Sequence, residues 1–258
     1  MTEDFIVIDR VAKVYQTATG PVHALGPVDL AIRRGEFVAI VGPSGCGKST
    51  LLLLTAGLLD RSAGRIEIDG SEVREPRTDV GIVFQTPALA EWRHVLGNVL
   101  LQIELRGRRA IDYRERAERL LASVGLVDFA GRYPHELSGG MQQRTAFCRA
   151  LVHDPTLVLM DEPLGALDAL TREQLRTDLE RLWMQTGKTV IFVTHSITES
   201  VQLADRVLVM SSRPGQIERT VTIALPRPRT VEVRESPEFQ RYVHDITEVF
   251  LSRGVLTR

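Results

Sequence analysis

The chain has 258 residues, 43% of them hydrophobic, with 32 basic and 33 acidic side chains and a net charge of −1. That length can bury a sizeable core as one large domain or two small ones. A charge this close to balance lacks the basic surplus of a nucleic-acid binder. The two cysteines, Cys46 and Cys148, lie far apart, so the pattern offers no disulfide framework and points to a reducing compartment. No apolar run approaches the ~20 residues that span a bilayer, and the opening Met-Thr-Glu-Asp-Phe predicts no signal peptide.

In chain order, residues 5–15 predict a strand rich in β-branched residues. A Gly-Pro turn at 20–21 leads to two short strands, Val22–Leu25 and Val28–Ile32. Arg33 to Glu36 then turns into a buried strand, Phe37–Val41, and Leu51 to Leu59 suits a buried helix. Arg65–Ile68 alternates as a strand and ends at an Asp69-Gly70 turn, and Val80–Phe84 is another buried strand. From about Pro87 the pattern becomes helical. Val95, Leu96, Val99, Leu100 and Ile103 recur at helical spacing within 94–105. Asp112 is placed to cap a helix that buries Ala117, Leu120, Leu121 and Val124, and Ala146–Val152 continues a further helix. Strand character returns at Leu157–Met160. An amphipathic helix over Ala169–Gln185 follows, then a strand at Thr189–Thr194, a helix at Ile197–Leu203 and a strand at Arg206–Met210. A last hairpin is expected within 215–225 and a helix over Pro237–Leu251. These elements describe an α/β core with antiparallel strands beside it and a helical insertion, without internal repeats.

The stretch Gly42, Pro43, Ser44, Gly45, Cys46, Gly47, Lys48, Ser49, Thr50 matches the phosphate-binding loop G-x-x-x-x-G-K-[ST]. Its glycines admit tight turns and close approach. Its amides and the following helix start converge on phosphate oxygens. Lys48 adds a positive charge and Ser49 a hydroxyl for Mg²⁺. The strand before and the helix after supply the context this motif needs. Cys46, among these amides, is expected to favour its thiolate. A second motif, Leu157 to Glu162, is an apolar strand ending in two carboxylates. Asp161 suits the Mg²⁺ shell, and Glu162 can orient or deprotonate an attacking water. A third, Leu137-Ser-Gly-Gly-Met-Gln-Gln-Arg144, places Ser138, Gly139 and Gly140 just ahead of a helix. By itself this reads as an N-cap with a flexible entry. Beside the first loop it makes a second anion-binding helix start, which a head-to-tail pair of chains could bring to one nucleotide.

Taken together, these motifs, with Gln85 after a strand and His195 after Val193-Thr194, resemble the ATP-binding subunits of ABC transporters over nearly the whole chain. The resemblance implies an α/β P-loop NTPase core, a mostly parallel sheet flanked by helices, over residues 1–88 and 154–225. It adds an antiparallel β subdomain, an inserted helical subdomain over 89–153, and a tail over 226–258. It implies ATP and Mg²⁺ as cofactors. It assigns catalytic roles to Glu162 as base, Lys48, Gln85 and His195, with His195 on the γ-phosphate, and a Mg²⁺ shell to Ser49, Gln85 and Asp161. Ser138 and Gly140 would bind the γ-phosphate held by a second copy, Asp168 would lie at the dimer seam, and Tyr15 would stack on adenine. Plainer readings stand beside these: His195 and Tyr15 as strand-end residues, and Asp168 as the N-cap of the next helix.

Within the family, the segment from Gln85 to Asn98, with Trp92, is similar to ATPases of nitrate, sulfonate, taurine and bicarbonate importers. So are Ser212-Arg-Pro-Gly-Gln-Ile217, Leu225-Pro-Arg-Pro-Arg229 and Ser236-Pro-Glu-Phe239. Glu91 and His94 depart from that pattern, standing where Pro and Thr are usual. Thiamine-precursor importers share the pattern, and lipid or export systems and non-transport ABC-type ATPases are the rival classes. The resemblance implies a homodimer, peripheral on the cytoplasmic face of the inner membrane. It would drive an integral membrane permease and, indirectly, a solute-binding protein, with no nucleic-acid partner. Trp92 is either core packing or part of the surface that meets the permease.

Overall fold

The first two strands run to fourteen residues each, and their β-branched and aromatic residues, Phe5 to Ile8 in the first and Val22, Val28 and Ile32 in the second, favour extended backbone. The structure, a computed structural model describing residues 4–253, places Phe5, Ile6, Ile8 and Val11 of β1 (Asp4–Thr17) in the core. Strand β2 (Gly20–Arg33) pairs with β1 antiparallel and is continuous, not the two short strands expected. Gly26-Pro27, read as a break, falls where the register shifts between the Val11↔Val28 and Lys13↔Leu25 pairs. A bulge on β2 there accommodates the proline, which has no N–H to give the ladder. Strand β3 (Phe37–Val41) is buried at every position. Helix α1 (Lys48–Thr55) stops short of Leu59: Gly57 turns at φ +71°, where a Cβ would lie 2.2 Å from the Glu75 carbonyl oxygen. Strand β4 (Ala63–Ile68) pairs antiparallel with β1 and turns through Asp69 and Gly70 into β5 (Ser71–Glu72). Both turn residues have positive φ, as a tight hairpin requires.

The middle of the chain forms β6 (Val80–Val83), α2 (Val95–Leu105), α3 (Arg114–Ser123), α4 (Gly139–Leu151), β7 (Leu157–Asp161) and α5 (Ala169–Thr186). Strands β6 and β7 are parallel. Helix α3 buries Ala117, Leu120 and Leu121, with Val124 just beyond it, as the spacing requires. Its start differs from expectation: Asp112 lies inside a 3-10 turn (Ala110–Tyr113) and does not cap the helix. In α2 the buried set is Val95, Asn98, Val99, Leu100 and Ile103; Leu96 is only half-buried and the polar Asn98 is fully enclosed.

The last third supplies β8 (Thr189–Thr194), α6 (Ile197–Leu203), β9 (Arg206–Met210), β10 (Ile217–Thr222), α7 (Val231–Glu235) and α8 (Pro237–Ser252). The bounds of β8, α6 and β9 coincide with the sequence reading. Strand β3 is flanked by β8 and β9, parallel to both, and β10 returns antiparallel on β9. The final hairpin is therefore β9–β10, not two strands within 215–225. The described residues form two compact units, 4–78 with 188–253, and 79–187. Among them no helix is long and apolar enough to cross a membrane.

Candidate functional site

In the first unit, Val41 of β3 pairs with Thr194 of β8. Gly42 and His195 therefore leave the carboxyl ends of adjacent parallel strands, the edge where α/β sheets hold ligands. Gly45 and Gly47 adopt φ +73° and +100°, values that L side chains rarely tolerate. Gly47 also caps α1, and a Cβ there would strike Leu25 Cδ2 at 2.7 Å and the Ala24 carbonyl oxygen at 2.8 Å. Lys48 is 4% exposed. Its ammonium donates to the carbonyls of Gly42 at 2.9 Å and Pro43 at 3.0 Å, so the charge is held over the loop. Ser44 and Gly45 are exposed at its crest, and Ser49 and Thr50 are half-buried in the first turn of α1.

His195 is exposed directly after β8, and the next residue, Ser196, caps α6 by accepting from the Glu199 amide at 3.2 Å. Tyr15 is 37% exposed and pairs with Val22 of β2, three residues before the Leu25 that touches the loop. The Lys13 ammonium lies 5.1 Å from its ring centre. Tyr15 is thus a surface aromatic.

The second unit carries the acidic pair and the Ser138 motif. Glu162 follows β7 with φ +47°, a left-handed backbone that a non-glycine residue adopts only where its surroundings impose it. Gly165 donates to the Glu162 carbonyl at 3.0 Å, and a Cβ at Gly165 would lie 3.2 Å from Gln85 Nε2. The glycine thus brings Gln85 beside the turn that carries Glu162. Ser138 caps α4, accepting from the Met141 amide at 3.4 Å, with Gly139 exposed beside it. A Cβ at Gly140 would lie 2.4 Å from Thr171 Cγ2, so α4 and the first turn of α5 approach closely only because Gly140 has none. Thr171 in turn donates its amide to Asp168 at 3.0 Å. That bond, followed by one from the Thr171 hydroxyl, holds the Asp168 carboxyl below its usual range.

Several supporting residues escaped the sequence reading. Gln143 donates to the Phe84 carbonyl at 3.1 Å, and Arg149 to those of Ala88 at 2.8 Å and Pro87 at 2.6 Å, so α4 pins both sides of Gln85. Arg172 donates to the carbonyls of Leu164 at 3.2 Å and Leu167 at 2.8 Å, shaping the turn before Asp168. Arg213 donates to the Gly45 carbonyl at 3.2 Å, and a Cβ at Gly215 would lie 1.9 Å from the Cys46 carbonyl oxygen. Each acts on a backbone carbonyl or through the lack of a side chain, which leaves no motif to read. Asn98 offered the one available signal, a polar residue on the apolar face of α2. It accepts from the Ala90 amide at 2.7 Å and donates to the carbonyls of Ala90 and Arg93. The loop it organises presents Trp92 80% exposed, which rules out core packing for that ring.

The expected thiolate at Cys46 is not supported. The side chain is buried beneath the loop, and burial pushes its thiol up, with the Lys48 charge only partly opposing this. Burial also pushes Cys148 up to about 12. At pH 8 both should react with iodoacetamide at least about tenfold more slowly than in the urea-unfolded chain. Mass spectrometry of a labelling time course checks this, and equal rates at Cys46 would restore the thiolate.

The family model described as ABC transporter matches residues 25–165. An uncharacterised ABC transporter ATP-binding protein of Methanocaldococcus jannaschii is 45% identical over 94% of this chain and 90% of its own length. A taurine import ATP-binding protein of Jannaschia sp. is 44% identical over 91% of each chain. One solved structure, a dimeric ATP-binding cassette in a post-hydrolysis state with ADP and phosphate bound, superposes with a TM-score of 0.74. It is 34% identical and covers 86% of this chain and all of its own. A phosphate loop on α1, a capped Ser-Gly-Gly helix start, an acidic pair where β7 ends and these matches lead to one conclusion: the chain belongs to the ABC transporter family and is an ATP-binding, ATP-hydrolysing subunit with a P-loop α/β fold.

Proposed function

We propose that this subunit powers import of a small anionic solute, in the class of taurine and other sulfonates, through a separate membrane permease. Support comes from the relatives named taurine import ATP-binding proteins, 43–48% identical over most of the chain. The exposed Trp92 held out by the Asn98-braced loop supports a protein partner at that surface.

The observation that carries the mechanism is that two helices begin at a glycine-bearing cap, α1 at Gly47 and α4 at Ser138 with Gly139 and Gly140 behind it, and such helix starts suit phosphate. Two copies associate head to tail, each loop facing the partner's Ser138, Gly139 and Gly140, with Asp168 at the seam and Tyr15 against adenine. Glu162 takes the proton from the attacking water, while His195 and Lys48 hold the γ-phosphate. Hydrolysis then releases the closed pair, and closure and release move the permease between its two faces. The subunit works on the cytoplasmic face of the membrane, and a solute-binding protein delivers to the far side. Ser49, Gln85 and Asp161 are the residues for Mg²⁺: a hydroxyl, an amide and a carboxylate. These are hard oxygen donors, few enough to leave room for phosphate oxygens and water, which is what that ion prefers. Bound there, Mg²⁺ would offset the phosphate charge.

The test is growth of a strain lacking this gene on single nutrient sources. It should fail with taurine or an alkanesulfonate as sole sulfur source and recover with the wild-type gene, but not with Glu162→Gln. Normal growth there, with failure on nitrate as sole nitrogen source or on a pyrimidine precursor as sole thiamine source, would overturn the solute class.

A further inference from the structure

The segment after β10 ends the first unit, and the mechanism above leaves it unused. Arg229, in Leu225-Pro-Arg-Pro-Arg229, is only 1% exposed. One terminal nitrogen donates to the carbonyls of Val201 at 2.8 Å, Gln202 at 3.3 Å and Ala204 at 2.6 Å. The other donates to Ile223 at 3.2 Å and Leu225 at 3.3 Å. Gln202 returns a bond to the Arg229 carbonyl at 3.3 Å. Arg227 donates to the Leu203 carbonyl at 2.6 Å and to Asp205 at 2.9 Å. Two guanidinium groups therefore take up the carbonyls of residues 201–204, the whole carboxyl end of α6.

Helix ends leave such carbonyls unsatisfied, with partial negative charge, and water or an exposed lysine serves them at little desolvation cost. Enclosing a guanidinium for the purpose is far more demanding, and the gain is rigidity. Helix α6 has seven residues, too few to hold itself in place. Its carboxyl end is held by the two arginines, and α8, whose Phe239, Ile246 and Phe250 are buried, packs against the helix. At its amino end, Thr194 donates to Glu199 at 2.6 Å and accepts from the Ser196 amide at 3.0 Å. His195 lies between those two residues. Asp205 also exchanges two bonds with the backbone of Phe37, its carboxylate accepting at 2.9 Å and its amide donating at 2.8 Å. The clamp thus reaches the first residue of β3, the strand that leads into the phosphate loop.

We propose that Arg229, assisted by Arg227, is a positioning clamp that sets α6 and through it His195, so that the tail tunes hydrolysis rather than ATP binding. This rests on the assignment of His195 to the γ-phosphate. The experiment compares the full-length chain with Arg229→Met, Arg229→Lys, Arg227→Met, His195→Ala and the Arg229→Met/His195→Ala double variant. Calorimetry gives the ATP Kd, and single-turnover hydrolysis is followed over hours so that slow variants are read. Arg229→Met should slow hydrolysis about tenfold with Kd within about twofold, and Arg229→Lys should recover part of the loss. In the His195→Ala background, Arg229→Met should change the rate by less than about twofold. Wild-type hydrolysis in Arg229→Met, a loss confined to Kd, or the same tenfold loss added to His195→Ala would each overturn the clamp. Wild-type hydrolysis in His195→Ala would instead overturn the assignment of His195. Should Arg229→Met fail to fold, Arg229→Lys and Arg227→Met take its place under the same criteria.

Discussion

Glu162→Gln should bind ATP as the wild type does, hydrolyse it at least about a hundredfold more slowly and accumulate a dimer. The substitution keeps shape and leaves an amide that can still accept a hydrogen bond from water but cannot take its proton. The residue follows a strand whose first four positions, Leu157 to Met160, are all buried. Its backbone is held at φ +47°, which aims the side chain independently of whether it ends in an acid or an amide. The structure around it should therefore persist while the proton transfer is lost. If closure on ATP precedes hydrolysis, blocking the chemical step traps the closed pair. Gel filtration with and without ATP, beside a phosphate-release assay, reads both effects. A monomer in the presence of ATP would sink the head-to-tail arrangement, and near-normal turnover would sink the assignment of the base.

Lys48→Ala should weaken ATP binding by roughly 10- to 100-fold, the loss of a charged hydrogen bond of about 1.5–3 kcal/mol. Lys48 is already buried and held on the carbonyls of Gly42 and Pro43, so little ordering remains to be done when phosphate arrives. The loop should survive the substitution. Its shape is set by Gly45 and Gly47 at positive φ, and by Arg213 on the Gly45 carbonyl, neither of which needs the lysine. Titration calorimetry with ATP, together with a melting curve, separates lost affinity from lost structure. An unchanged Kd would confine Lys48 to the transition state.

What could be read from the chain alone was whatever is written within a few consecutive residues. The phosphate loop is one such case, since nine adjacent residues carry its turns, charge and hydroxyl. The caps at Ser138 and Asp168 are others, each closing on an amide three residues ahead. Strands β3 and β8 also belong here, because a short apolar run between polar turns has few alternatives. Tertiary structure decided what depends on contacts far along the chain. Pro27 does not break β2 because β2 itself bulges there, with Gly26 and Pro27 facing the single residue Ala12 of β1. Cys46 is buried rather than poised as a thiolate, because burial outweighs the charge of Lys48 beside it. Gly215, some 170 residues from the loop, is required by the Cys46 carbonyl. Arg229 carries no motif of buried charge, yet it becomes the most enclosed cation described here because the carbonyls of α6 and of residues 223 and 225 converge on it. Desolvation and close approach depend on which distant segments pack together, and local periodicity and propensity carry no record of that.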